Sequence, residues 1–166
     1  SKKEIACLSV PAPALDQETQ PHFAYYTEGD GSLKKDRYQA EMQHLAKTVV
    51  RAATENKDSA FNGEGIKRLV ISKYGQNNFL KAVPFTDRDF AHQAFYASLV
   101  TEIKAHAAEL SDMEIVMSEY GTDTNKEMQD LFVNPLQELQ DSNGIKVNYI
   151  NGDILKTAKT YDLVVN

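Results

Sequence analysis

The sequence carries a single cysteine, Cys7, in 166 residues. An internal disulfide is therefore excluded, and a reducing compartment is expected, the cytoplasm of its own cell or, for a secreted effector, that of a host. No run approaches the roughly 20 apolar residues that cross a bilayer, and no secretory leader is recognisable. Clustered positive charge is also missing. The 18 Lys and Arg are scattered among 24 Asp and Glu, for a formal net charge of -6. Holding duplex DNA or RNA takes several cations aimed at phosphates, so that class of partner is set aside. A small anionic ligand stays open, because backbone N–H groups hold phosphate without basic side chains.

Several site signatures are absent as well. His22, His44, His92 and His106 form no i, i+4 pair and no H-E-x-x-H pattern, so no metal site is expected. There is no G-x-S-x-G nucleophile turn, no G-x-x-x-x-G-K-[ST] phosphate loop and no G-x-G-x-x-G fingerprint. No cofactor is implied.

What is present is ordinary globular material, 42% hydrophobic and 25% charged. The length suits one domain over residues 1–166. The chain begins at Ser1 and stops just after Leu163-Val-Val165, so both ends read as boundaries within a longer protein.

Short apolar runs alternate with helical periodicity. Residues 5–10 read as a buried strand stopped by Pro11 and Pro13, with Cys7 inside it as a small apolar residue. Over 32–56, Tyr38, Met42, Leu45, Val49 and Ala53 recur at helical spacing, with Ser32 a candidate cap. Residues 66–72, 114–118, 145–150 and 161–165 read as four further strands. Ala91, Phe95, Leu99 and Ile103 predict a helix over 87–110. A third helix over 125–140 is kinked or divided by Pro135 and ended by Asn143-Gly144. Strands alternating with crossover helices predict an α/β fold, a three-layer α/β/α arrangement around a mostly parallel sheet of about five strands.

In such sheets ligands bind beyond the carboxyl ends of the strands. Three segments leave strands there: 11–15, Lys73-Tyr-Gly-Gln-Asn-Asn-Phe79 and Glu119-Tyr-Gly-Thr-Asp123. In the second, Gly75 admits close backbone approach, Gln76, Asn77 and Asn78 bring amides, and Phe79 brings a stacking face. The same residues also suit a tight turn that serves only the backbone. Asp87 and Asp89 fall at a helix start, where negative charge complements the dipole. Glu119 and Asp123 flank a strand end and are the better placed acid/base pair.

The stretch Val147-Asn-Tyr-Ile-Asn-Gly-Asp-Ile-Leu155, followed by Tyr161-Asp-Leu-Val-Val-Asn166, resembles the opening of a macro domain, a strand ending in Gly-Asp-Ile and then a strand ending in Asn. Residues 68–80 resemble that family's strand and glycine–aromatic phosphate loop, and are similar to the corresponding loop of poly(ADP-ribose) glycohydrolases. Residues 5–10 and 114–121 resemble further strands. The order is circularly permuted, and the family's glycine-rich catalytic loop has no counterpart here. The resemblance implies recognition of ADP-ribose or of an ADP-ribosylated protein. Asp153 would accept from the adenine amino group, with Ile154 near the base. Gly75, Gln76, Asn77 and Asn78 would wrap the diphosphate, Phe79 would cover a ribose, and Asn166 would begin the turn at the distal ribose. The chain would then be a binding domain or part of an ADP-ribosyl hydrolase, with no catalytic residue assigned. Two rivals stand beside it. One is a protein-interaction domain that keeps the fold without the ligand, using the loop over 16–31 with Phe23, Tyr25 and Tyr26. The other is a different α/β hydrolytic enzyme using Glu119 and Asp123.

Overall fold

In the computed structural model, which describes residues 2–166, five strands form one all-parallel sheet. They are β1 (Ala6–Leu8), β2 (Arg68–Ser72), β3 (Glu114–Glu119), β4 (Lys146–Asn151) and β5 (Asp162–Val165). Their order across the sheet is β1-β5-β2-β3-β4. The chain therefore steps outward from β2 to β4, then returns to insert β5 between β1 and β2. Because all strands run parallel, their carboxyl ends share one edge.

The helices are α1 (Pro21–Tyr26), α2 (Lys35–Asn56), α3 (Phe85–Ala105), α4 (Thr124–Met128), α5 (Asn134–Leu136), α6 (Glu138–Asn143) and α7 (Ile154–Thr157). One face of the sheet carries Leu69, Ile71, Ile115, Met117, Leu163 and Val165, and packs with the apolar stripes of α2 and α3 into the main core. The other face carries Val70, Val116 and Val164, covered by Ala158 and by Ile154 of α7. The architecture is consistent with three layers, the second helical layer being thin. Strands buried on both faces read as unbroken apolar runs, which is why β2, β3 and β5 are plain in the sequence.

Cys7 corrects the expectation of a buried residue: it is exposed. It pairs in register with Val164, on the thinly covered face, and sits on an edge strand. The helix expected from residue 87 starts at Phe85, behind Pro84. Ser32 is not a cap. Lys34 holds that position, and the Ser32 hydroxyl donates instead to Asp30 Oδ1 at 2.6 Å. Pro135 divides its helix. It has no N–H to donate, and the break is taken up by a widened turn over Gln129–Val133 before α5. Gly144 closes α6 at φ +67°, with the Ile145 amide reaching back to Leu139 O at 3.2 Å. No helix among the described residues is long and apolar enough to cross a membrane.

Register between β2 and β5 is pinned by a buried ion pair. Arg68 Nη2 lies 2.8 Å from Asp162 Oδ2, its Nε donates to the same carboxylate at 3.2 Å, and the two side chains are 4% and 1% exposed. They are directly paired residues in the ladder.

Candidate functional site

The carboxyl ends of β2, β3, β4 and β5 surround a cleft of about 410 Å³. A second hollow of about 320 Å³ adjoins it, bounded by Val10, Pro11 and Ala12 and sharing Tyr74, Gly75, Phe79 and Asn166 with the first. A cavity of equal size to the first, beside Gly65 and Met113, opens near the amino ends of β2 and β3, away from these loops. A larger hollow of about 620 Å³ lies beside the charged first turn of α2.

Gly75 sits at φ +69°, and a Cβ there would stand 2.6 Å from Ala12 Cβ. Glycine is thus required twice, by conformation and by contact. The two loops are stitched by the Leu15 amide on Phe79 O at 2.7 Å and the Ala82 amide on Leu15 O at 3.1 Å. Beyond Gly75 the expected amide side chains diverge. Gln76 turns inward: it is buried, and its Nε2 donates to the Tyr38 hydroxyl at 2.7 Å, although the residue still borders the cleft. Asn77, at φ +56°, donates from Nδ2 to Glu119 Oε1 at 3.2 Å. Asn78 is exposed in the short 3-10 turn Asn77–Leu80 and borders neither hollow. Phe79 is half exposed between the two.

Asp153 stands at the head of α7, where its Oδ1 accepts from the Leu155 amide at 2.8 Å. Oδ2 takes no hydrogen bond among the described residues. Ile154 borders the cleft while packing on the thin-face valines. Asn166 ends β5. Its amide donates to Leu8 O at 3.0 Å, and its Oδ1 accepts from the Ser72 hydroxyl at 3.4 Å. Asp153, Ile154, Gly75, Gln76, Asn77, Phe79 and Asn166 thus converge on one cleft, and Asn78 does not.

Glu119 also lines the cleft, whereas Asp123 is exposed outside it. Burial pushes the Glu119 carboxyl above its ordinary range, and Glu127 adds to the shift. The Lys73 ammonium and the Tyr120 amide oppose it without cancelling it. Asp87 is buried and accepts from the Leu33 amide at 2.8 Å, a bond that joins the start of α3 to the loop before α2. Phe23 and Tyr26 are buried core residues of α1, and Tyr25 alone of that trio is exposed, beneath the Arg37 guanidinium.

Among the cleft residues not singled out from sequence are two exposed apolar side chains. Tyr120 and Leu155 are 80% and 66% exposed, and both line the cleft. The described residues include five exposed large hydrophobic side chains, and three of them, Phe79, Tyr120 and Leu155, rim this one cleft. Apolar side chains left bare around a single opening mark a surface that receives something. For Tyr120 the signal available in sequence was its place, immediately after the end of β3 in an otherwise polar loop. Comparison of the chain with family models, with curated proteins and with solved structures gives no match.

Proposed function

We propose that the chain binds ADP-ribose or a related nucleoside diphosphate in the paired hollows at the carboxyl edge of the sheet. One observation carries the reading. Residues distant in sequence, the Gly75 loop, Asp153 and Asn166, meet at one cleft whose rim is aromatic and apolar. The volume is that of a small-molecule site. The free oxygen of Asp153 suits an exocyclic amine, with Tyr120, Ile154 and Leu155 around a planar base. The backbone of Gly75 to Asn77 suits the diphosphate, since a glycine-borne turn can turn its amides to phosphate in an acidic protein. Phe79 divides the hollows where a ribose would lie, and Asn166 opens toward the second.

Calorimetric titration of ADP-ribose into the wild-type chain and Asp153→Asn tests this. Asparagine keeps the cap on α7, because its carbonyl oxygen accepts the same bond. It offers the base a second donor in place of an acceptor. The expected loss is about tenfold or more in affinity, in line with one charge-assisted hydrogen bond. Unchanged affinity in Asp153→Asn, or no binding by the wild type, rejects the reading.

A second reading, hydrolysis of the bound ligand, is favoured by Glu119 alone, a half-buried carboxyl whose proton is held more firmly than usual at the cleft wall. Release of ADP-ribose from a modified protein, abolished in Glu119→Gln, is the result that would support it.

A further inference from the structure

At one wall of the cleft lies a largely buried polar cluster for which ligand contact with the rim gives no account. Lys73, just past β2, has a side chain only 2% exposed. Its ammonium stands 2.7 Å from Glu127 Oε1 and 5.7 Å over the Tyr96 ring. His92 Nδ1 lies 4.0 Å from the same Glu127 oxygen. Six buried side-chain polar atoms lack a hydrogen-bond partner among the described residues, and three are here: His92 Nδ1, Tyr96 Oη and Glu127 Oε1, with a fourth, Thr124 Oγ1, one turn before Glu127 on α4. The Lys73–Glu127 contact is thus an ion pair without hydrogen-bond geometry. Tyr96 is 1% exposed, so its hydroxyl is an unpartnered donor fully out of water. Native proteins rarely tolerate such a concentration of unmet polar atoms without a use for it.

Lys73 is the member of this cluster that reaches the cleft, and Glu119 lines the same opening. Asn77 Nδ2 donates to Glu119 Oε1, and Oε2 takes no hydrogen bond from another side chain among the described residues. The groups that bear on it are Lys73 past β2, Glu127 of α4, the Tyr120 and Lys73 amides and, in return, Tyr96 of α3; Asp153 lines the same cleft, and His92 of α3 faces Glu127 and Lys73, with Asp89 and Arg88 on its own helix. His92 adds no positive charge near neutrality, since burial and the Lys73 ammonium lower its affinity for a proton. Lys73 is committed at close range to Glu127. An ionised Glu119 is therefore the carboxylate in excess, and an anionic ligand would meet it across the cleft.

We propose that Glu119 engages an anionic oxygen of the bound ligand as a neutral carboxylic acid, donating through Oε2 while Asn77 donates to Oε1. The inference rests on the nucleoside diphosphate reading of the cleft. No bond to the ligand's atoms is made or broken. Binding takes one proton from solvent onto Glu119 whenever the free protein holds it ionised. A buried acid kept neutral so that it can donate has precedent in enzyme sites. Here burial favours the protonated form by more than the Lys73 ammonium and the neighbouring amides oppose it, Glu127 adds to it, and a diphosphate alongside favours it further. Such a site discriminates in favour of anionic ligands as pH falls, the opposite of one in which a permanently ionised carboxylate faces the ligand.

Titration calorimetry of ADP-ribose into the described chain, at pH 6, 7 and 8 and in two non-phosphate buffers of different ionisation enthalpy, counts the protons taken up. ADP-ribose has no terminal phosphate that titrates in this range, so the count belongs to the protein. Uptake approaching one proton per ligand is expected at the higher pH values, with affinity falling there by up to tenfold per pH unit. Glu119→Gln, neutral at every pH, is expected to show no uptake and to bind more tightly than wild type at pH 8. Binding by the wild type with no proton uptake at any pH overturns the inference and leaves the cleft reading intact. So does uptake that persists in Glu119→Gln and disappears in His92→Gln. Absence of binding by either protein at every pH overturns both together.

Discussion

Arg68 and Asp162 face each other across β2 and β5 with almost no contact with water, and Arg68 also donates to Thr157 O at 2.5 Å. The Lys159 amide adds a bond to Asp162 Oδ2 at 2.6 Å, so the carboxylate closes the turn before β5 as well as meeting the guanidinium. Removing one partner of such a pair leaves a buried, uncompensated charge. Asp162→Ala is expected to destabilise the fold by about 3–5 kcal/mol, read as a lower urea midpoint at unchanged slope. Glu119 behaves in the opposite sense. Its folded carboxyl binds a proton more firmly than an unfolded one, so its contribution to stability is present in full below the ordinary carboxyl value of 4.5 and is lost as pH rises through the raised folded value. Glu119→Gln should therefore be more stable than wild type at pH 7, with the advantage disappearing by about pH 4, where a wild-type carboxyl is also neutral. An advantage that is the same at both pH values would trace it to packing and not to charge.

At the scale of elements, the sequence reads well where burial is two-sided and poorly where a contact comes from elsewhere in the chain. The strands β2 to β5 fall within two residues of their expected limits, the inner ones because runs such as Leu69-Val-Ile71 and Ile115-Val-Met117 leave no polar face, and the edge strand β4 because its side chains alternate. The helix α1 was not legible: six residues of Pro-His-Phe-Ala-Tyr-Tyr are held by docking Phe23 and Tyr26 on the core, and not by periodicity. Gln76 looked like a ligand donor because nothing local reveals that Tyr38, on a separate helix, claims its amide. Lys73 looked like any loop lysine, since its burial depends on α3 and α4 closing over it. The return of β5 between β1 and β2 is likewise invisible in the strand's own residues. Gly75 was legible, and its substitution tests the loop as a unit. Gly75→Ala places a side chain at φ +69° and against Ala12. A cost of about 1–2 kcal/mol is expected from conformation alone, with more from the clash. Calorimetric melting reads the stability, and ADP-ribose titration reads whether the loop's amides still converge. Retained stability with lost binding would make the loop's conformation a requirement of the ligand alone.

Taken whole, the molecule is acidic, with a net charge of -6, yet its proposed ligand is an anion. Among the described residues the only cation lining the main cleft is Lys73, and that ammonium lies against Glu127. The attraction must then come from oriented backbone amides, apolar contact and a protonated acid, all of which act at short range, while the long-range field opposes approach. This has a measurable sign. A site built from Lys and Arg loses affinity steeply as salt rises, because released counterions no longer help. Here added salt screens the repulsion from the molecule's net charge, and the Debye length shrinks from about 10 Å at 0.1 M to about 3 Å at 1 M. ADP-ribose affinity is therefore expected to hold level or rise modestly between low and high sodium chloride, at a pH where Glu119 is protonated. A tenfold fall over that range would mean that side-chain cations hold the diphosphate. The hollow beside Lys34, Lys35 and Arg37 on α2, and not the carboxyl edge of the sheet, would then be the place to seek the ligand.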